Sequence, residues 1–242
     1  MKIVARTDTG LQRTNNQDYY TSCELPGGAI LAVVCDGMGG AAEGALASST
    51  AVNIIRNRIS GSYHEEMSDI SIKSLLISSL ENANKDLYNL SLTDEKYEGM
   101  GTTVVVLIAT EDFAYIAHAG DSRAYKLTDN KLYQLTKDHS VVQHMIENGE
   151  ITAQEAINHP KKHIITRALG VDSEIKIDFC QETFDEEDII LLCTDGLTNF
   201  CSSEDIVNLT SDGEYFKYAD RLVNTANKNG GGDNITVVVV LQ

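Results

Sequence analysis

Basic side chains are scarce. The 242 residues carry 19 Lys and Arg against 36 Asp and Glu, a formal charge of −17. A surface this acidic repels phosphodiester backbones, which a binder must neutralise with Lys and Arg, so nucleic acid is excluded as a partner. There is no polybasic amphipathic stretch to grip an anionic membrane surface, and no apolar run approaches the roughly 20 residues of a membrane span. The opening MKIVARTDTGLQRTNNQD lacks the apolar segment of a secretory signal. Proline occurs only at Pro26 and Pro160, and no linker, low-complexity tract or repeat interrupts the chain. The five cysteines (Cys23, Cys35, Cys180, Cys193 and Cys201) are odd in number and show no C-x-x-C spacing. That argues against a disulfide framework or a structural zinc and for buried, reduced thiols in a cytoplasmic protein.

The hydrophobic share, 42%, is that of an ordinary globular chain, and a domain of this length buries roughly 70–75% of its unfolded surface without staples. We read residues 1–242 as one domain. Short β-branched runs bounded by Gly, Asp or Asn predict strands at Lys2–Thr7, Tyr19–Glu24, Ala29–Cys35, Thr102–Ala109, Phe113–Ala119, Ser122–Leu127 and Lys131–Leu135. Others are predicted at Ile175–Gln181, Asp188–Cys193 and Ile235–Leu241, with a hairpin turn at Thr128-Asp129-Asn130. VVVLIA and ITVVVVL are apolar on both faces, which predicts strands covered on both sides. Apolar 3.6-residue periodicity predicts long helices from about Ala42 to Ile59 and Ser71 to Ser91. Shorter ones are expected at Val141–Asn148, Ala153–Asn158 (with a Thr152/Glu155 capping box), Ser203–Leu209 and Gly213–Asn227. Hairpin-linked strands and paired helices imply an α+β layered sandwich rather than βαβ units.

The informative pattern is where aspartates fall. AVVCDGMGG, AYIAHAGDSR and IILLCTDGL end apolar strands at Asp36, Asp121 and Asp195; GGGDNITVVVV opens one after Asp233, and RTNNQD sets Asp18 before another. One such aspartate is a turn former. Several at strand ends converge on one cleft if their strands are neighbours, and clustered carboxylates repel unless a cation joins them. All-oxygen ligands select hard ions such as Mg²⁺, Mn²⁺ or Ca²⁺. Other chemistries are excluded by spacing. The residues six after the cysteines are Ala29, Ala41, Glu186, Asn199 and Val207, none the arginine of a cysteine-dependent phosphatase. H-E-x-x-H, a P-loop lysine and G-x-G-x-x-G are absent. The six histidines are scattered, and most are read as surface or capping residues.

Eight strings in order, RTNNQD (13–18), VVCDGMGG (33–40), GMGTT (99–103), AGDSRAY (119–125), LTKDHS (135–140), HPKKHIITRALG (159–170), LLCTDGL (191–197) and GGDNIT (231–236), span nearly the whole chain. In them the sequence resembles the metal-dependent serine/threonine protein phosphatases (the PPM, or type 2C, family), bacterial branch. The resemblance implies a four-layer α/β/β/α sandwich of two mostly antiparallel sheets flanked by helix pairs. It implies two Mg²⁺ or Mn²⁺ ions, with a third at a further site. Carried over residue by residue, Asp36 bridges the ions, the Gly37 carbonyl holds the second, and Asp195 and Asp233 complete the shell of the first. Asp121, with Asp195, matches the third-ion site; Asp18 and Asn234 stand behind the ligands; Arg13 matches the phosphate-binding arginine. The reaction so implied is direct attack on phosphorus by a hydroxide bridging the ions, on phosphoserine and phosphothreonine in proteins, with no phosphoenzyme.

This chain departs from the family at Met38, where some members have a histidine proposed as general acid, at Gln17 (Glu in some members) and at Ala41 (His in many bacterial members). The segment from about 143 to 170 matches the family's flap. Its Lys161-Lys162-His163 cluster is a candidate grip on a phosphorylated loop, and Arg167 is read first as a fixing point of the flap base. The implied setting is cytoplasmic, as a monomer, with phosphorylated proteins and a Ser/Thr kinase as partners. Two other readings remain at this stage: a catalytically silent phosphoprotein-binding regulator, marked by loss of a metal aspartate, and a plain divalent-cation binder.

Overall fold

The structure is a computed structural model that describes every residue except 41; the departure noted at Ala41 therefore lies outside the described residues. The strands are β1 (Lys2–Asp8), β2 (Asp18–Glu24), β3 (Ile30–Met38), β4 (Gly101–Thr102), β5 (Val104–Ala109), β6 (Phe113–Ala119), β7 (Arg123–Thr128), β8 (Lys131–Gln134), β9 (Asp178–Thr183), β10 (Ile189–Cys193) and β11 (Ile235–Leu241). The helices are α1 (Glu43–Ser62), α2 (Asp69–Ser91), α3 (Val141–Glu147), α4 (Ala153–Ala156), α5 (Asp195–Thr198), α6 (Ser203–Leu209) and α7 (Tyr218–Lys228).

Two antiparallel sheets form, in strand orders β1-β11-β10-β7-β8 and β2-β3-β5-β6-β9, with β4 against the end of β3. The doubly apolar strands explain the layering. Along β5, Val104, Val106 and Ile108 face the core under α1 and α2, with Ile55, Leu76 and Leu80. Val105 and Leu107 face the other way, into the layer between the sheets with Val34, Ile116 and Leu192. Along β11, Val237 and Val239 meet Leu222 and Val223 of α7, while Val238 and Val240 join the inner layer. Side-chain alternation in a pleated strand thus feeds two cores from one run of valines. The result is the expected four-layer sandwich.

The Asp129-Asn130 turn has φ of 49° and 57°, the paired left-handed conformation of a tight hairpin. Thr152 and Glu155 form the expected capping box. Three expectations shift. The strand foreseen over Thr102–Ala109 breaks at Thr103, which leaves the ladder to bond Asp36. β9 begins at Asp178, opposite His118, rather than at Ile175, because Ile175 and Ile177 pack against the helix-side core instead. α7 starts at Tyr218, after Gly213 takes φ +78° and Tyr215–Lys217 makes a 3₁₀ turn. The one-turn α5 had no periodic signal, being too short to show one. No helix among the described residues is long and apolar enough to cross a membrane.

Candidate active site

Antiparallel pairing decides where the aspartates meet. β2 starts where β3 ends, so Asp18 and Asp36 are direct ladder partners. β5 starts beside the end of β3, and β6 therefore ends there too, leading into Asp121. In the other sheet β10 ends beside the starts of β7 and β11, with Cys193 opposite Arg123 and Val237. Asp195 and Asp233 thus fall at the same edge. A cleft of about 620 Å³ opens there, and its walls include Arg13, Asp36, Gly37, Asp121, Asp195, Asp233 and Asn234. Asp18 lies beneath, 4% exposed.

Each group is held differently. The Asp36 main chain is clamped from both sides: its N–H donates to Thr103 Oγ1 (3.0 Å), and its carbonyl accepts from Thr103 N–H (2.8 Å) and Thr102 Oγ1 (2.9 Å). A Cβ on Gly37 would collide with the Gly44 carbonyl at the start of α1, so only glycine lets the strand end this close to the helix. Asp195 opens α5, and Asn199, one turn on, donates to its Oδ2 at 2.9 Å. Asp233 Oδ1 accepts the Asn234 N–H (2.9 Å) and Oδ2 accepts Arg13 Nη2 (2.9 Å). The Asn234 side chain turns away from that carboxylate. It donates to the Thr9 and Asn15 carbonyls and accepts the Gln17 N–H, tying the loop before β2 to the start of β11. Asp18 Oδ2 accepts from Thr194 Oγ1 (2.9 Å) and Thr236 Oγ1 (2.7 Å).

Electrostatically the cluster is unbalanced. Burial pushes Asp36 well above the usual carboxylate range, and Asp18, Asp195, Asp121 and Asp233 push it further. Asp121 is raised to about 7 by burial, then by Asp195 and Asp138, against the pull of Arg123. Asp18 is raised to about 7 by burial, against its two threonine hydrogen bonds. Asp195 is raised by burial and by Asp233, less the Asn199 bond. Asp195 Oδ1 is buried and has no hydrogen-bond partner, a costly state for a carboxylate oxygen unless a cation meets it. Carboxylates with an orphaned oxygen, and a backbone carbonyl, make an all-oxygen donor set that fits hard divalent ions.

A second cluster does not fit a metal. His118, His139 and Asp178 offer ligand atoms within 4.8 Å of one another. Yet His139 Nδ1 accepts the Gly120 N–H (3.1 Å), and its Nε2 is enclosed by Asp178 Oδ2 at 3.2 Å and by the cationic Arg167 Nη1 at 2.9 Å, which leaves no place for a metal ion. The Arg167 guanidinium fills the remaining space, donating to Asp178 Oδ1 at 2.8 Å. These two histidines are 4% and 5% exposed, with rings stacked at 4.7 Å, exceptions to the surface reading of histidines. Arg167 belongs to this cluster and not to the cleft wall, whereas Lys162 and His163 do line the cleft.

Thr103, Thr194, Thr236, His139 and Asn199 are site residues that the sequence motifs leave without a role. Asn199 carried a readable signal, four residues after Asp195 on one helical face. The threonines sit inside quoted strings, but their bonds cross between strands and leave no local spacing.

The Protein phosphatase 2C family model matches residues 11–238. A serine/threonine phosphatase of Listeria welshimeri is 37% identical over 244 residues, covering 99% of this chain and 95% of that protein. The structure of the Streptococcus agalactiae serine/threonine phosphatase superposes with a TM-score of 0.93 at 33% identity, covering 100% of this chain and 99% of that one. The catalytic domain of the phosphatase PstP, in complex with two manganese ions, superposes with a TM-score of 0.85 at 31% identity over 98% of this chain and 96% of that one. The chain belongs to the protein phosphatase 2C family and is a protein serine/threonine phosphatase.

Proposed function

We propose that the cleft hydrolyses phosphoserine and phosphothreonine monoesters with divalent ions, Mg²⁺ or Mn²⁺, held by Asp36, the Gly37 carbonyl, Asp195 and Asp233, and a third at Asp121 with Asp195. The observation that carries this is the convergence of mutually repelling carboxylates on one cleft, with a buried Asp195 oxygen left unpartnered. PstP, whose structure holds two manganese ions, supports the choice of metal. When bound, such ions supply positive charge against the phosphate dianion and lower the pKa of water enough to make it a nucleophile.

The chain's own residues do the rest. Arg13, half exposed at the rim, presents a planar fork suited to two phosphate oxygens. Thr102 and Thr103 fix Asp36, and Asp18, gripped by Thr194 and Thr236, backs it from the neighbouring strand. Lys162 on the cleft wall, with the His163 imidazole beside it as a hydrogen-bonding group, offers positive charge to a phosphorylated loop in an otherwise acidic protein. The 143–170 segment serves as the flap that carries them. Phosphorylated proteins are products of a kinase, so a Ser/Thr kinase stands opposite this enzyme. We place it in the cytoplasm as a monomer, a compartment suited to its five free cysteines.

None of the carboxylates assigned to metal is replaced, which favours catalysis over a silent phosphoprotein binder. Hydrolysis of an aryl phosphate and of phosphopeptides, with Mn²⁺ and with chelator, tests the reading. Activity with Mn²⁺ that disappears on chelation and in Asp36→Asn and Asp233→Asn is expected. Full activity in either variant removes the site assignment.

A further inference from the structure

Gly120 precedes Asp121 and takes φ +114°, a conformation that favours glycine. Both of its polar main-chain groups are engaged by one residue. Its carbonyl accepts the His139 N–H at 2.9 Å, and its N–H donates to His139 Nδ1 at 3.1 Å. A Cβ at Gly120 would stand 2.6 Å from Thr103 Cβ, so the turn has no slack on its inner side, where Thr103 also grips Asp36.

The His139 ring is itself over-determined. Its Nε2 lies 2.9 Å from Arg167 Nη1 and 3.2 Å from Asp178 Oδ2, and its face stacks on His118 with an interplanar angle of 10°. Burial holds the ring pKa down, to about 4, so Nδ1 keeps the lone pair that Gly120 needs. Its carbonyl accepts the Thr166 N–H at 2.8 Å, beside the Ser140–Ile165 bridge, and Arg167 reaches the same Asp178 at 2.8 Å. One buried residue, through its main chain and its side chain, therefore joins the base of the 143–170 segment to the turn that aims Asp121.

We propose that His139 is a positioning residue for the ion site at Asp121: by binding both the N–H and the carbonyl of Gly120, it sets the direction of the Asp121 carboxylate and couples it to the flap base. This rests on Asp121 being an ion ligand. Outer partners of metal ligands change affinity by about 10–100-fold when lost.

Asparagine places an amide oxygen near the position of Nδ1; glutamine places its amide near Nε2. Mn²⁺ titrations by calorimetry on the purified full chain are therefore compared for wild type, Asp121→Ala, His139→Ala, His139→Asn and His139→Gln. Asp121→Ala should lose the weakest Mn²⁺ site and keep the tighter ones. His139→Ala and His139→Gln should weaken that same site by about tenfold or more and leave the tighter sites within about twofold, while His139→Asn restores it. A merely structural histidine would move all sites together or only the melting temperature. Should His139→Ala not fold, the Asn and Gln variants decide: equal Mn²⁺ isotherms in the two overturn the proposal. Wild-type isotherms in the His139 variants, with the weak site lost in Asp121→Ala, overturn the role of His139 alone. Retention of every site in Asp121→Ala overturns both it and the ligand assignment beneath it.

Discussion

Arg13 and Asp233, 220 positions apart, are joined by a 2.9 Å ion pair at the rim of the cleft. The arginine proposed to hold phosphate thus also neutralises a carboxylate proposed to hold metal. Both side chains are partly exposed, so the pair adds little to stability. Its value lies in fixing the guanidinium over the cleft before substrate arrives.

Removing that guanidinium should therefore separate two effects. Arg13→Ala loses a charge-assisted contact to phosphate worth roughly 1.5–3 kcal/mol, or about 10–150-fold in kcat/KM. It also leaves Asp233 more negative, so Mn²⁺ affinity should hold or tighten slightly. Steady-state kinetics on a phosphopeptide, beside a Mn²⁺ titration, checks this. A parallel loss of metal affinity would mean that Arg13 serves the carboxylate rather than the substrate.

Asp36 is crowded by four other carboxylates and raised by burial. Asp36→Asn should abolish turnover, yet make the chelated protein more stable by about 1–4 kcal/mol, since it removes a poorly compensated buried charge. The rise in melting temperature that Mn²⁺ gives the wild type should shrink at the same time. Thermal melts of both proteins with EDTA and with Mn²⁺ decide it, and a destabilised chelated variant would contradict the electrostatic account.

The aspartates were legible in the sequence because the signal is local: an apolar strand, an acid and a glycine within a few residues, as in VVCDGM and LLCTDGL. The layering was legible because VVVLIA and ITVVVVL leave no polar face to expose. Thr103 was misread as plain strand because β-branched residues favour strands, and only the tertiary demand of Asp36 pulls it from the ladder. The His139–Asp178–Arg167 cluster was invisible. Its members lie on different elements with no shared spacing, and burial of two histidines depends on which strands become neighbours.

The raised carboxylates make the metal-free protein sensitive to pH. Asp18 and Asp121 reach about 7, and Asp36 and Asp195 are raised too. A folded pKa above the unfolded value means the native chain binds more protons, so stability is lost as pH rises through the folded pKa. His139, lowered to about 4, and His118, also lowered by burial, act oppositely and cost stability only as pH falls below about 6.5. Acidifying the chelated protein from pH 8 to 6.5 should therefore stabilise it, by roughly 1 kcal/mol for each group near 7. That is several degrees in melting temperature for a chain of this size. Below pH 6.5 the two histidines offset part of the gain from the four acids, and the whole gain should vanish with saturating Mn²⁺, because ions then do what protons did. A chelated protein that loses stability between pH 8 and 6.5 would show the four acids to be independently solvated.

Thr103 ties the two carboxylate-bearing turns together. Its hydroxyl accepts the Asp36 N–H at 3.0 Å and pairs with Ser122 Oγ at 2.7 Å, while its methyl side packs under Gly120. Valine keeps the shape and removes the hydroxyl, stranding the Asp36 N–H and the Ser122 hydroxyl in a buried position. Thr103→Val should therefore cost about 1–3 kcal/mol in chemical unfolding, more than the loss of a methyl in Thr103→Ser, which keeps both hydrogen bonds at about 1 kcal/mol. Mn²⁺ affinity should follow the hydroxyl and not the total stability: weaker in the valine variant, near wild type in the serine variant. If both variants bind Mn²⁺ as wild type does, the main-chain clamp on Asp36 is a feature of the fold alone, and the carboxylate finds its place without it.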